Sequence, residues 1–185
     1  NGGTESNLQD YSKYLSKFEA KIKQKKKYLG GLFFFIIRKN AIYFDAGEPP
    51  KKSFSRNYQS GPLSFEYYLD GKKIITNCGF GSKISQRFEL LSRLTSAQST
   101  LTLNDTSVTK FERNKLINNV YGNSIKDTFK ISNKNVEDNK NKIKFMASHN
   151  GYENKFGFFH KREISLDKKD GKLTGIDHLI KKKKW

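Results

Sequence analysis

The segment Leu63-Ser64-Phe65-Glu66-Tyr67-Tyr68-Leu69-Asp70-Gly71-Lys72-Lys73-Ile74-Ile75-Thr76-Asn77-Cys78-Gly79 reads as two strands joined by a tight turn at Asp70-Gly71. Leu63, Phe65 and Tyr67 alternate with polar neighbours, and a second apolar run, Ile74-Ile75, follows the turn. A period of two places one face in a core, and Asp-Gly tolerates the positive φ angles of a two-residue hairpin loop. This hairpin sets the expected class: mainly β, in many short antiparallel strands.

The same pattern extends in both directions. Strands are expected at 32–38, 41–45, 62–69, 72–78, 99–104, 119–131, 142–149, 157–166 and 171–179, with a second Asp-Gly turn at Asp170-Gly171. Short strands separated by polar turns indicate a sandwich or a large folded sheet. Residues 83–96 carry Ile84, Phe88, Leu91 and Leu94 at helical spacing and read as a short helix or an irregular excursion. Residues 132–141 read as a polar, mobile loop. Near the start, Leu8, Tyr11, Leu15, Phe18 and Ile22 form one narrow stripe, which predicts a helix over 6–27 capped by Ser6 or Asn7. The expected division is therefore a connector helix, or the end of a helical domain, at 1–28 and a β-domain at 29–185.

Composition agrees with strands. Of the 185 residues 35% are hydrophobic, yet 15 Phe and 9 Tyr bring aromatics to 14%, so the core is expected to be built from rings. The formal net charge is +18. A polyanion ligand would explain it, whether nucleic acid or acidic polysaccharide. The excess is nearly all Lys, however, with Arg only at 38, 56, 87, 93, 113 and 162. Phosphate and base recognition favours the planar Arg fork, so the charge reads first as a compositional bias on a solvated surface, and no nucleic-acid partner is expected. The longest apolar run, Leu32 to Ile37, is too short for a membrane-spanning helix. Cys78 has no internal partner and is expected to be a small buried hydrophobe at a strand end.

Motifs for cofactor chemistry are missing from the sequence. Gly79-Phe80-Gly81 lacks the third glycine and the following helix of a dinucleotide loop. One Cys and 3 His cannot supply a Cys/His zinc set. Ser64 and Ser99 have no His near them in sequence for a hydrolase triad. Of the histidines, His149 and His160 read mainly as structural residues in strands, and His178 more so. His149 is the better functional candidate, because Asn150-Gly151-Tyr152 continues as a turn able to present polar groups.

Five blocks occur in a fixed order: Asp45-Ala46-Gly47-Glu48-Pro49-Pro50, the Leu63–Gly79 hairpin, Ser96-Ala97-Gln98-Ser99-Thr100-Leu101-Thr102-Leu103-Asn104-Asp105, Ala147-Ser148-His149-Asn150-Gly151-Tyr152, and Phe158-Phe159-His160-Lys161-Arg162. In this order they resemble the C-terminal sandwich of heparinase II/III-like proteins, a group of polysaccharide lyases and their relatives. The resemblance covers most of the chain. It implies a large antiparallel lyase-type supersandwich, incomplete here, with its last strands beyond Trp185 and a helical toroid domain before it. It also implies an acidic (uronate) polysaccharide or envelope glycan as partner, a periplasmic or cell-envelope location, and cleavage by β-elimination in the full-length protein.

In such relatives the sandwich contributes histidines just before the Leu-Ser-Phe strand, and some members hold a metal with a His there, an Asp after the next strand and a His in an Ala-His block. Here those positions are Asn57 and Gln59, Asn77, and Gln98. Amides do not titrate near neutral pH and are poor zinc ligands, so neither a metal nor a cofactor is expected. Gln59, Asn77 and Gln98 are expected to converge, either as a hydrogen-bonded structural knot or, with Asn57, as a surface for sugar hydroxyls. Arg93, His149 and Tyr152 are the remaining catalytic candidates. Three functional readings follow: the sandwich of a polysaccharide lyase, a degenerate carbohydrate-binding or scaffold sandwich, or a basic polyanion-binding module.

Overall fold

A computed structural model describes residues 28–182. The helix expected over 6–27 lies outside the described residues. The fold is mainly β, in two antiparallel sheets. The first contains β1 (Tyr28–Leu29), β2 (Leu32–Ile37), β3 (Asn40–Asp45), β4 (Phe65–Leu69) and β5 (Lys72–Ile75), in sequential order. The second contains β6 (Ile131–Asp138), β7 (Lys142–His149), β8 (Phe158–Asp167) and β9 (Leu173–Lys181), also sequential. Among the described residues helix is confined to α1 (Gln86–Ser92), α2 (Lys115–Tyr121) and α3 (Glu153–Phe156), with short 3-10 turns between elements.

The opening hairpin forms as its sequence dictates. Leu69 pairs with Lys72 across Asp70 (φ 50°) and Gly71 (φ 77°), both in the left-handed region that a two-residue loop requires. Tyr67 faces the core at 4% exposure, with Phe65 and Leu69 packed beside it. The sheets meet through rings. Phe145 of β7 stacks 6.2 Å from Phe44 and 5.9 Å from Phe33, and Ile42, Ile143, Ile164 and Leu166 close around them.

The turns of the β2–β3, β4–β5, β6–β7 and β8–β9 hairpins fall at one end of the sandwich, while the β1–β2 turn at Gly30-Gly31 lies at the other, beside Ala46 and Gly47. Asn40 Oδ1 accepts the Asp70 N–H at 2.9 Å, Tyr67 donates its hydroxyl to Gly171 O at 2.6 Å, and the Lys168 N–H reaches Asn141 O at 2.7 Å. The long connections, 46–64, 76–130 and 150–157, are therefore gathered at the opposite end. There the Tyr152 hydroxyl donates to Leu101 O and the Thr100 hydroxyl to Pro62 O, both at 2.7 Å.

Several local expectations are corrected. Residues 99–104 form no strand beyond a Leu103–Thr106 bridge. The side chains of Ser99 and Thr100 take the bonds that a strand would make with its backbone: Ser99 Oγ accepts the Phe65 N–H at 2.8 Å. Of the segment 119–131 only Ile131 is strand, as the first residue of β6. The first residues of the segment complete α2, whose start is fixed by Asn114 Oδ1 accepting the Leu116 N–H at 2.9 Å. Residues 132–141 are mostly strand rather than loop. As an edge strand β6 needs only Ile131 and Val136 on the core side, and its bulge at Ser132–Asn135 takes Asn133 to φ 52°. Cys78 is exposed, not buried: β5 stops at Ile75, so Cys78 lies beyond the sheet.

Candidate functional site

The end holding the long connections also gathers the blocks that resemble the lyase sandwich. The inner face of the second sheet changes character there. On β7 the core-facing series runs Ile143, Phe145, Ala147, His149, and on β8 it runs Leu166, Ile164, Arg162, His160. Register puts His149 directly opposite His160, and Asp177 of β9 opposite Arg162. Both histidines are 0% exposed and Arg162 is 6% exposed. A buried polar group must find partners or cost stability, and here the partners form one chain.

The Gly151 N–H donates to His149 Nδ1 at 3.0 Å, which leaves the His149 proton on Nε2. That proton points to His160 Nδ1 at 3.0 Å, so His160 carries its proton on Nε2 and donates it to Asp177 Oδ1 at 2.6 Å. Arg162 grips the same carboxylate in a fork, Nε to Oδ1 at 2.7 Å and Nη2 to Oδ2 at 2.8 Å. Its Nη1 crosses to the other side of the core, donating to Leu63 O at 3.0 Å and Ser99 O at 2.6 Å. Leu63 is fully buried with φ 58°, an uncommon conformation for a branched residue, so these contacts fix a strained approach to β4. Gly151 is required where it is, because a Cβ would lie 2.2 Å from Val108 Cγ1 and 3.0 Å from His149 Nδ1.

The amides continue this framework. Asn77 Oδ1 accepts the Ser99 N–H at 2.8 Å. Gln98, 9% exposed, donates Nε2 to Ser92 O at 2.7 Å. Gln59 is half-buried, and its backbone carbonyl accepts from Gly61. Gly61 in turn abuts the Gln98 side chain, where a Cβ would come within 2.9 Å of Cγ. Gln59 and Gln98 thus share one neighbourhood, and Asn77 adjoins it through Ser99. Asn57 lies apart, exposed on a cavity of about 410 Å³ that Asp45, Arg56 and Tyr58 also line. The amide positions do not fit a metal, because Asn77 Oδ1 and the Gln98 amide are directed at backbone groups. Among the described residues no group of three His, Cys, Asp or Glu stands ready to hold one.

The three catalytic candidates are interior side chains. Arg93, His149 and Tyr152 are each 0% exposed. Tyr152 spends its hydroxyl on Leu101 O, and burial pushes its phenol up to about 12. Arg93 donates Nε to Tyr58 O at 2.8 Å and Nη2 to Ser55 O at 2.9 Å. Burial, with the His160 ring and the Arg162 charge beside it, pushes His149 down to about 3, so its imidazole is neutral at pH 7. Burial raises the Asp177 carboxyl, but the hydrogen bonds from His160 and Arg162 and the guanidinium charge outweigh it and hold the group well below the carboxylate range.

These groups predict how stability follows pH. An unfolded His149 takes a proton near pH 6.5, while the folded one resists until about 3. His149 therefore contributes fully above pH 6.5, and its contribution falls, by at most about 1.4 kcal/mol per pH unit, as pH drops from 6.5 toward 3. Urea midpoints measured from pH 7.5 to 4 are expected to decline through this window, and His149→Gln is expected to flatten the slope. A wild-type midpoint unchanged between pH 7 and pH 4.5 would contradict the buried neutral histidine.

Sequence reasoning gave no role to the segment 106–113. It borders a second, larger cavity of about 650 Å³ against α1, lined by Leu90, Leu91, Leu94, Lys110, Phe111 and Arg113 among others. The signal in the sequence was Phe111 set among Lys110, Glu112 and Arg113, a ring between charges.

Comparison with known proteins bears on the whole arrangement. The family model described as Heparinase II/III-like, C-terminal, matches residues 26–184. No curated protein and no solved structure matches the chain.

Proposed function

This chain belongs to the heparinase II/III-like family, as its C-terminal domain, and from that premise we propose that it is the glycan-engaging sandwich of a polysaccharide-lyase-type protein and supplies no acid, base or metal to the reaction. The proposed ligand is an acidic, uronate-bearing glycan of the cell envelope or periplasm. β-Elimination in a full-length protein removes the proton beside the uronate carboxylate, forms a carbon–carbon double bond and expels the glycosidic oxygen, which takes up a proton. The base and the acid for those steps would come from outside this domain.

One observation carries the reading: the buried histidines and two of the three converging amides, Asn77 and Gln98, already have hydrogen-bond partners within the domain. His149, His160, Asp177 and Arg162 are hydrogen-bonded in series, and Asn77 and Gln98 are bonded to Ser99 and Ser92. A group that must hold the fold together is poorly placed to give or take a substrate proton. The arginines also argue against a nucleic-acid module, since Arg93 and Arg162 are buried and Arg38 sits at the hairpin-turn end, away from Arg56 and Arg113.

The test is direct. The 185-residue chain, mixed with uronate glycans, is expected to give no rise in the ultraviolet absorbance of unsaturated uronate product. A steady rise that His149→Gln abolishes, in a variant that still folds, would restore a catalytic role to this domain and overturn the reading.

A further inference from the structure

We propose that the cavity between α1 and the 106–113 segment is the place where this domain takes an acidic saccharide. The inference rests on the glycan reading above and adds the site. The cavity, about 650 Å³, is of the size that holds small ligands. Its wall is apolar, from Leu90, Leu94 and Phe111, and its rim carries Lys110, Arg113 and Lys126.

The charge in this cavity is unbalanced. Arg113 and Lys126 are exposed and meet no carboxylate among the described residues. Lys110 has only a loose 3.7 Å pair with Asp127. The one acid of the lining, Glu112, is already engaged: the Asn114 and Arg113 N–H groups donate to it at 3.1 Å and Lys52 at 3.3 Å.

The groups behind the wall point the same way. Arg93 lies with its guanidinium carbon 4.2 Å from the centre of the Phe111 ring. It is fully buried, has no ion-pair partner among the described residues, and leaves Nη1 without a hydrogen bond. Thr109, which lines the cavity, is 1% exposed and leaves Oγ1 unpartnered as well. A buried cation without an anion is costly, and here it backs the apolar wall of a cavity already rimmed by cations. A uronate or sulfated sugar offers what this arrangement lacks: an apolar ring face for Leu94 and Phe111, and fixed negative charge for the rim. A neutral sugar would leave the cations unused.

The experiment compares binding of a galacturonate hexasaccharide and a neutral hexasaccharide to the 185-residue chain by calorimetry. Two double variants accompany the wild type. Arg113→Glu/Lys126→Glu reverses the rim. Lys72→Glu/Lys140→Glu makes the same change in net charge at exposed positions at or next to the hairpin turns of the far end. The rim variant is expected to lose affinity about tenfold or more, as the loss of two charge-assisted contacts implies, with the control variant within about threefold of wild type, as long-range screening allows. Both should melt near the wild type.

Equal losses in the two variants would mean attraction by net charge alone and would overturn the site. Binding by wild type that the rim variant retains would overturn the site while leaving the glycan reading in place. Failure of the wild type to bind the acidic sugar would overturn both. Equally tight binding of a polyglutamate peptide at the same rim would overturn the ligand class.

Discussion

Arg162→Met is expected to destabilise the domain by about 2–4 kcal/mol, because it strips two backbone carbonyls of a buried donor and leaves a carboxylate that is 34% exposed, and so only partly desolvated, without its guanidinium. The side chain is 6% exposed and holds both oxygens of Asp177, together with the carbonyls of Leu63 and Ser99. Methionine keeps much of the volume but leaves the carboxylate and two carbonyls without these donors. The second sheet then loses its polar link to the loop before β4, where Leu63 is held at φ 58°. Urea unfolding at pH 7 measures the loss. A change under about 1 kcal/mol, the size of an exposed pair, would mean that the network does not hold the sheets together.

Phe145→Ala is expected to cost a similar amount, about 3–5 kcal/mol, for a different reason. Phe145 is 0% exposed and is the ring that the second sheet contributes to the stack with Phe33 and Phe44. Truncation opens a void at the centre of the sandwich, where close packing leaves no neighbour free to fill it. For a chain of this size that loss corresponds to a fall in melting temperature of about 6–20 °C. A melting temperature within about 2 °C of wild type, less than 1 kcal/mol is worth at this size, would place the core elsewhere.

The elements that were legible in sequence are those whose local chemistry and global role agree. The β4–β5 hairpin is one: alternation gives the face, Asp70-Gly71 gives the turn, and the core confirms both. The misread elements are those where a side chain replaces backbone or where burial is slight. Ser99 and Thr100 substitute hydroxyl bonds for a strand, which no periodicity can reveal. An edge strand such as β6 buries so little that its sequence looks like a loop. In α2 the Asn114 cap was present to be read, but Asn118-Asn119 blurred the helical pattern behind it.

The candidate site was legible in its members more than in its wiring. The residues Asn77, Gln98, Arg93, His149 and Tyr152 stood out, and the chain brings their segments to one end of the sandwich. Which hydrogen bonds they make depends on register across three strands. His149 meets His160 because β7 and β8 pair them, and Asp177 closes the chain because β9 sets it opposite Arg162. Nothing local to any of these residues encodes that. The cavity over Phe111 was hidden for a related reason: its lining is drawn from α1 and Leu94, from the 106–113 segment and from Lys126, which are far apart in sequence.

The proposal that this sandwich engages acidic glycan stands or falls on binding. A calorimetric titration of the 185-residue chain with a uronate oligosaccharide, beside a neutral one of equal length, tests it most directly. Saturable heat is expected with the acidic ligand and none with the neutral ligand. No heat with either, or equal affinity for both, would contradict it.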